Sequence, residues 1–154
     1  MLGDGKNGKR KNRAVNEMKL ILPSLSVNEG MARAAVAAFC AQLDPTAGEL
    51  ADLKCAVSEA VTNCSVHAYK DRIGEIYITV RLFSDGEVRI TVKDKGCGIE
   101  DVEVARQPLY TTDAENERSG MGFTVMESFC DKVKVVSKCK KGTTVTLYKR
   151  LRRR

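Results

Sequence analysis

The sequence predicts an α+β domain, a two-layer sandwich in which one mixed β-sheet is covered on one face by three helices. Three observations predict it. Period-two apolar runs mark two hairpins: Ile76, Ile78, Val80 and Leu82 turn at Asp85-Gly86 into Val88, Ile90 and Val92, and Lys132 to Ser137 turns at Lys140-Lys141-Gly142 into Thr143 to Lys149. Apolar residues at helical spacing mark two segments before the first hairpin and one between the hairpins. The order β, α, α, β, β, α, β, β offers a single sheet for those helices to cover, with no internal repeat or second core.

Taken in order, residues 1–15 are rich in Gly, Lys and Asn and read as a disordered basic tail. A folded domain then spans 16–148, and a short basic tail follows at 149–154. Glu17 to Leu22 is a strand stopped by Pro23. Ser26-Val27-Asn28-Glu29 matches a capping box, and Met31, Ala34, Ala35, Ala38 and Phe39 continue it as a helix to about Leu43. Asp44-Pro45 ends that helix, and Thr46-Ala47-Gly48-Glu49 is a second box. The helix it opens runs to about Tyr69, with Leu50, Leu53, Val57, Ala60, Val61 and Cys64 on one stripe. The third helix covers about Gly120 to Cys130.

Composition narrows the class. At 154 residues, 43% hydrophobic and 30% charged, the chain reads as one globular domain. Its net charge of +6 is concentrated in the ends, at Lys6, Lys9, Arg10, Lys11 and Arg13 and at Lys149, Arg150, Arg152, Arg153 and Arg154. Basic ends without interleaved aromatics suit solvated arms better than a nucleic-acid reader, so no direct nucleic-acid role is expected. No apolar signal region opens the chain, and the longest uncharged run, Ala34 to Leu43, is too short to span a bilayer, so a cytoplasmic protein without a membrane partner is expected. The six cysteines form no C-x-x-C pair and read as reduced, small hydrophobes. His67 is the single histidine, which excludes a multi-histidine metal centre.

Chemistry concentrates between Asp94 and Phe123, where two glycine pairs bracket a polar stretch. Asp94 lands at a strand end just before Gly96 and Gly98, where its carboxylate can accept from an exocyclic amine while the glycines admit a ring. Gly120 and Gly122 lie at a helix start, whose amides favour an anion such as phosphate, and Arg118 beside them would offset phosphate charge. On the second helix Glu59, Asn63 and His67 recur every four residues, placing a carboxylate and an amide one turn apart. Asn63 offers an oxygen to Mg²⁺, and Glu59 could accept a proton as an oxygen attacks a terminal phosphate. Each feature alone also has a plain reading: a solvated helix face, a turn aspartate, a helix entry, a β-branched strand former at Thr143.

Order and spacing join them. Glu59 to Asn63, Asp94-x-Gly96-x-Gly98, Gly120-Met121-Gly122-Phe123 and Gly142-Thr143-Thr144 resemble the four boxes of the GHKL ATPase superfamily, and within it the anti-sigma serine kinases of the sporulation type. Further matching stretches include Asn16-Glu17-Met18, Ala41 to Thr46, Ala105 to Leu109 and Glu117 to Phe123, so the likeness runs from about Asn16 to Leu147. The resemblance implies the Bergerat ATP-binding fold, with ATP and Mg²⁺ as cofactors. By position it implies Asn63 as metal ligand, Glu59 as catalytic base and Asp94 as adenine reader. It also implies Gly96, Gly98 and Thr143 around the base, and Arg118, Ser119, Gly120, Met121 and Gly122 around the phosphates, with Arg118 assisting transfer. Relatives act as homodimers, inhibit a sigma factor (sigma F type) and phosphorylate a serine of an anti-anti-sigma factor. Arg33 matches their partner-contacting position. Ala68 and Cys97 depart from the pattern without touching a proposed catalytic group.

The resemblance leaves neighbouring readings in view. A sensor histidine kinase would need a phosphoacceptor histidine on a separate helix, and His67 lies on the proposed metal helix instead. A stress-response anti-sigma kinase shares every box. So does a module that sequesters a sigma factor without catalysis, although sequestration gives Glu59 no task.

Overall fold

In the computed structural model, which describes residues 12–107 and 122–152, period-two alternation becomes five strands. They are β1 (Ala14–Pro23), β2 (Glu75–Phe83), β3 (Glu87–Lys93), β4 (Lys132–Lys138) and β5 (Gly142–Arg150). The helices are α1 (Asn28–Cys40), α2 (Ala47–Asn63), the short α3 (Val102–Arg106) and α4 (Phe123–Phe129). Inward rows on the strands, such as Ile76, Ile78, Val80 and Leu82, meet Leu53, Val57, Ala60 and Val61 of α2 in one buried cluster, with Val36 of α1 and Phe123 and Met126 of α4 on either side. Burying each such side chain contributes roughly 1.5–3 kcal/mol, and this cluster fixes where the ends of α2 and β3 lie.

The two-layer α+β architecture is the expected one. The sheet itself differs from expectation, because all of its pairings are antiparallel, in the order β1-β2-β3-β5-β4. The reason is topological. Two helices join β1 to β2 and return the chain to the end it left, so β2 runs back against β1. Strands β3 and β4 do run parallel, but β5 lies between them and opposes both.

Two local expectations are corrected and one is met. The capping box at Ser26 does not form; Val27 occupies the N-cap position of α1 without a side-chain cap, and Glu29 pairs with Arg33, at 3.3 Å. The box at Thr46 does form: Thr46 Oγ1 accepts from Glu49 N at 3.1 Å and Glu49 Oε1 from Thr46 N at 2.9 Å. Helix α3 lies within the polar stretch between the glycine pairs, where no helix was expected, capped by Asp101 and tied to α4 through Arg106 and Glu127 at 2.7 Å.

Both domain ends extend beyond the expected limits. Strand β1 begins at Ala14, and Ser84 N donates to Arg13 O at 3.3 Å. At the other end β5 continues through Lys149 and Arg150, and Leu151 is buried with its N–H on Gly86 O at 2.9 Å. Lys149 reaches Phe129 O at 2.8 Å and Asp52 at 3.3 Å, while Arg152 N donates to Glu49 Oε2 at 2.8 Å. The backbone donors of Thr46 and Arg152 hold Glu49 below the usual carboxylate range. A run that looks like a charged tail is therefore the last turn of the core, because strand alternation sends Leu151 inward between basic neighbours.

Leu151→Ala is expected to lower unfolding stability by about 2 kcal/mol, read from urea denaturation midpoints at unchanged slope. A midpoint equal to the wild type would show Leu151 to be dispensable to the core.

Candidate active site

Strand β3 ends by delivering Asp94 into the interior, where its carboxylate is 5% exposed. A buried carboxylate needs donors. Its Oδ1 accepts from Gly96 N at 3.0 Å and Thr143 N at 3.2 Å, and its Oδ2 accepts from Cys64 Sγ at 3.6 Å. Asp94 N in turn donates to Thr143 O at 2.9 Å, so one residue binds the β3 end to the start of β5.

The glycines around it make room for protein backbone. A Cβ on Gly96 would lie 2.2 Å from Ala68 O, one on Gly98 2.1 Å from Lys138 O, and one on Gly142 2.2 Å from Asp94 O. Gly98 and Gly142 also have φ of 74° and 112°, in the region that glycine alone enters freely. The loop after Asp94 is thereby pressed between the end of α2 and the β4–β5 turn. Ser137 closes the other side: its hydroxyl donates to Gly142 O at 3.1 Å, and its oxygen accepts from Ile99 N at 2.7 Å and lies 2.7 Å from Thr143 Oγ1.

Helix α2 supplies the facing wall. After Asn63 its backbone widens into a single π-helical turn, Cys64–Ala68, a local form frequent at functional sites. Asn63, Cys64 and His67 line a pocket together with Asp94, Gly98 and Thr143, whose apolar walls include Ala60, Val92, Ile99, Phe123 and Val145. Four residues expected in the site, Asn63, Asp94, Gly98 and Thr143, thus converge, and Gly96 sits directly behind Asp94. Glu59 stands one turn up α2, against Gly122, the left-handed N-cap of α4 with φ 63°. A Cβ on Gly122 would come 2.2 Å from Glu59 Oε2, so glycine is what lets the carboxylate lie there. Burial, and secondarily the charge of Glu29, pushes Glu59 above the usual carboxylate range. Arg118, Ser119, Gly120 and Met121 fall outside the described residues.

A second, open groove runs along the other side of Glu59, lined by Arg33, Ala51, Lys54, Cys55, Ser58, Glu59, Val125 and Phe129. Arg33 reaches it from α1, with Glu29 at 3.3 Å and Ser58 Oγ at 3.4 Å. Helix α2 thus lines both cavities, the groove with Ala51, Lys54, Cys55, Ser58 and Glu59 and the pocket with Ala60 and Asn63.

Several contributors escape motif reading. Cys64 and Ala60 reach the pocket because the apolar stripe of α2 runs out into it, and Ser137 and Ile99 arrive from β4 and the loop after Gly98. The signal available for Cys64 was its position next to Asn63 on that stripe.

Chemically, an acceptor-only carboxylate between apolar walls suits a flat ring bearing an amine. Among the described residues no group of three or more His, Cys, Asp and Glu side chains converges as a metal site. The donor set thus fits Mg²⁺ in one way, with Asn63 supplying one oxygen while phosphate oxygens and waters complete the shell. Among the described residues no helix is long and apolar enough to cross a membrane, and all six cysteines are free.

The sequence matches the histidine kinase-like ATPase domain family over residues 22–149. It is 57% identical over 135 residues to the anti-sigma F factor of Geobacillus sp. (strain WCH70), covering 87% of this chain and 92% of that protein. It is 56% identical over 137 residues to the anti-sigma F factor of Anoxybacillus flavithermus, covering 88% of this chain and 93% of that one. Among solved structures, the RsbU and RsbW domains of Rv1364c from Mycobacterium tuberculosis align with a TM-score of 0.66 at 22% identity, over 90% of this chain and 33% of that chain. The histidine kinase domain of a blue-light activated histidine kinase from Erythrobacter litoralis aligns with a TM-score of 0.54 at 21% identity, over 84% of this chain and 62% of that chain. These two structures establish the fold alone.

The environment of Glu59 makes a stability prediction. A carboxyl whose pKa rises on folding favours the folded state fully below its unfolded pKa, and that contribution is lost as pH rises through the folded value. Glu59→Gln keeps the shape and removes the charge, so it is expected to raise Tm at neutral pH, with the gain closing as pH falls through the carboxylate range. Thermal denaturation over that pH series reads it. A Tm difference that does not change with pH would show that charge burial at Glu59 is not the cause.

Proposed function

The chain belongs to the histidine kinase-like ATPase domain family, of the GHKL type, and from that premise we propose that it is an anti-sigma factor of the sigma F type. In this reading it holds a sigma factor inactive and, as an ATP- and Mg²⁺-dependent serine kinase, phosphorylates and inactivates its anti-anti-sigma factor. It acts in the cytoplasm as a homodimer, as its resemblance to the anti-sigma kinases implies. The observation that supports the kinase assignment is Glu59 in a groove bearing Arg33, one helical turn before Asn63 in a pocket suited to a nucleotide.

The residues then take these roles. Asp94 accepts a hydrogen bond from the adenine amine, and the apolar walls sandwich the ring. Asn63 gives one oxygen to Mg²⁺, which when bound offsets phosphate charge. Arg33 helps seat the protein partner over the groove, bringing a serine hydroxyl to Glu59. Glu59 takes the hydroxyl proton as the serine oxygen forms its bond to the γ-phosphorus and the bond from that phosphorus to the β,γ-bridging oxygen breaks, releasing ADP. Its raised pKa matches that task, since a base nearer neutrality shares the proton more evenly. Arg118, with the residues from Ser119 to Gly122, serves the phosphates as the resemblance implies.

Full-length protein, labelled ATP, Mg²⁺ and the anti-anti-sigma factor test this directly. The label is expected on a partner serine, with Glu59→Gln slowing transfer by about 10²–10⁴-fold while nucleotide affinity is retained. Transfer at the wild-type rate in Glu59→Gln would remove Glu59 as the base. No transfer by the wild type, with the sigma factor still captured, would support sequestration without catalysis.

A further inference from the structure

Asp94 is held unevenly. Its Oδ1 carries two backbone donors, Gly96 N and Thr143 N, whereas among the described residues its Oδ2 meets one donor, the Cys64 thiol at 3.6 Å. A carboxylate fixed through one oxygen can still rock about its last torsion, because that rotation has broad wells. A contact on the second oxygen settles the plane of the group. The plane matters here because Oδ2, once one lone pair is occupied, has the other left for a ligand.

Cys64 is well placed for this. It is 3% exposed and lines the same pocket as Asp94. It opens the π-helical turn Cys64–Ala68, and that turn is fixed from outside by Gly96 packing on Ala68 O and by Cys97 N donating to Ala68 O at 3.0 Å. The thiol has one proton and two acceptors in reach, Ala60 O at 3.5 Å and Asp94 Oδ2 at 3.6 Å. A charged acceptor outcompetes a neutral carbonyl at a similar distance, so the thiol donates to Asp94 Oδ2.

We propose that Cys64 is a positioning residue for base recognition: its S–H sets the plane of the Asp94 carboxylate so that Oδ2 faces an exocyclic amine, making the pocket selective for 6-aminopurine nucleotides over 6-oxopurine ones. The inference rests on the reading of Asp94 as the adenine reader. A 6-oxo group would set an oxygen acceptor against Oδ2 and leave its remaining lone pair without a donor, an arrangement that discriminates strongly between ligands. When the thiol is removed, the carboxylate regains its freedom and the selectivity narrows. Serine, which keeps a donor at the same place, preserves it.

The test is calorimetric titration of the full-length protein with ADP and, separately, IDP, in the wild type, Cys64→Ala, Cys64→Ser and Asp94→Asn. The wild type is expected to prefer ADP. Cys64→Ala is expected to lose about three- to tenfold in ADP affinity, the worth of one modest hydrogen bond, with IDP affinity little changed, while Cys64→Ser keeps the wild-type ratio. An unchanged ADP to IDP ratio in Cys64→Ala overturns the inference, as does an equal loss in Cys64→Ala and Cys64→Ser. A wild type that binds ADP and IDP alike, or an Asp94→Asn variant that discriminates normally, instead removes the reading of Asp94 on which it rests. Infrared spectroscopy of the wild type keeps the inference testable should the alanine variant not fold. The Cys64 S–H stretch is expected below that of a free thiol and to move on ADP binding; a band at the free-thiol position, unmoved by ADP, overturns the proposal.

Discussion

The site depends on one buried negative charge. Asp94 ends a strand inside the protein, and a carboxylate there is tolerable only because backbone N–H groups from Gly96 and Thr143 meet it. Those donors come from two separate segments, so satisfying the charge also joins them. The loop after β3 and the first residues of β5 are held at the same carboxylate, and the pocket forms in the angle between them and α2. Among the described residues no buried side-chain nitrogen or oxygen lacks a hydrogen-bond partner, in keeping with a polar centre that is paired throughout.

Backbone proximity follows from the same constraint. Gly96, Gly98 and Gly142 each present a hydrogen where any other residue would drive a Cβ into a neighbouring carbonyl. Gly122 plays a related part for a side chain, giving the Glu59 carboxylate a place against α4. Glu59 is consequently less hydrated than a surface glutamate, and the proximity of Glu29 adds to the cost of its charge. The capped N-terminus of α2 lies far along the same helix, fastened to the C-terminal Arg152 backbone through Glu49. One helix thus spans from an anchored end to one that lines the pocket.

Much of this was legible from residues alone. The period-two rows from Ile76 to Leu82 and from Val88 to Val92 could bury one side only as strands, and Thr46 with Glu49 announced the start of α2. Asp94 was legible as a strand-end carboxylate next to glycine, and Asn63 as an oxygen donor one turn from Glu59, whereas their meeting in one pocket comes from the fold. Other features depend on tertiary partners that local pattern does not carry. Ser26 does not cap because α1 begins one residue later, with Val27 at its N-cap position, while Glu29 pairs with Arg33. Leu151 is one apolar residue among arginines, and only the β3–β5 register turns it inward. The antiparallel character of the whole sheet comes from β5 lying between β3 and β4, a neighbour relation that element order leaves open. Cys64 looked like core because it is core on one side and pocket wall on the other.

In the function proposed above, a magnesium–adenine nucleotide sits in the pocket between the end of α2, Asp94 and Thr143. Backbone amide NMR of the full chain during titration with Mg²⁺ and ADP tests it most directly. The account predicts saturable shifts concentrated at Asn63 to Ala68, Asp94 to Ile99, Gly122 to Phe123 and Gly142 to Val145. No shifts, or shifts gathered at the opposite end around Leu43, Phe83 and Leu151, would contradict it.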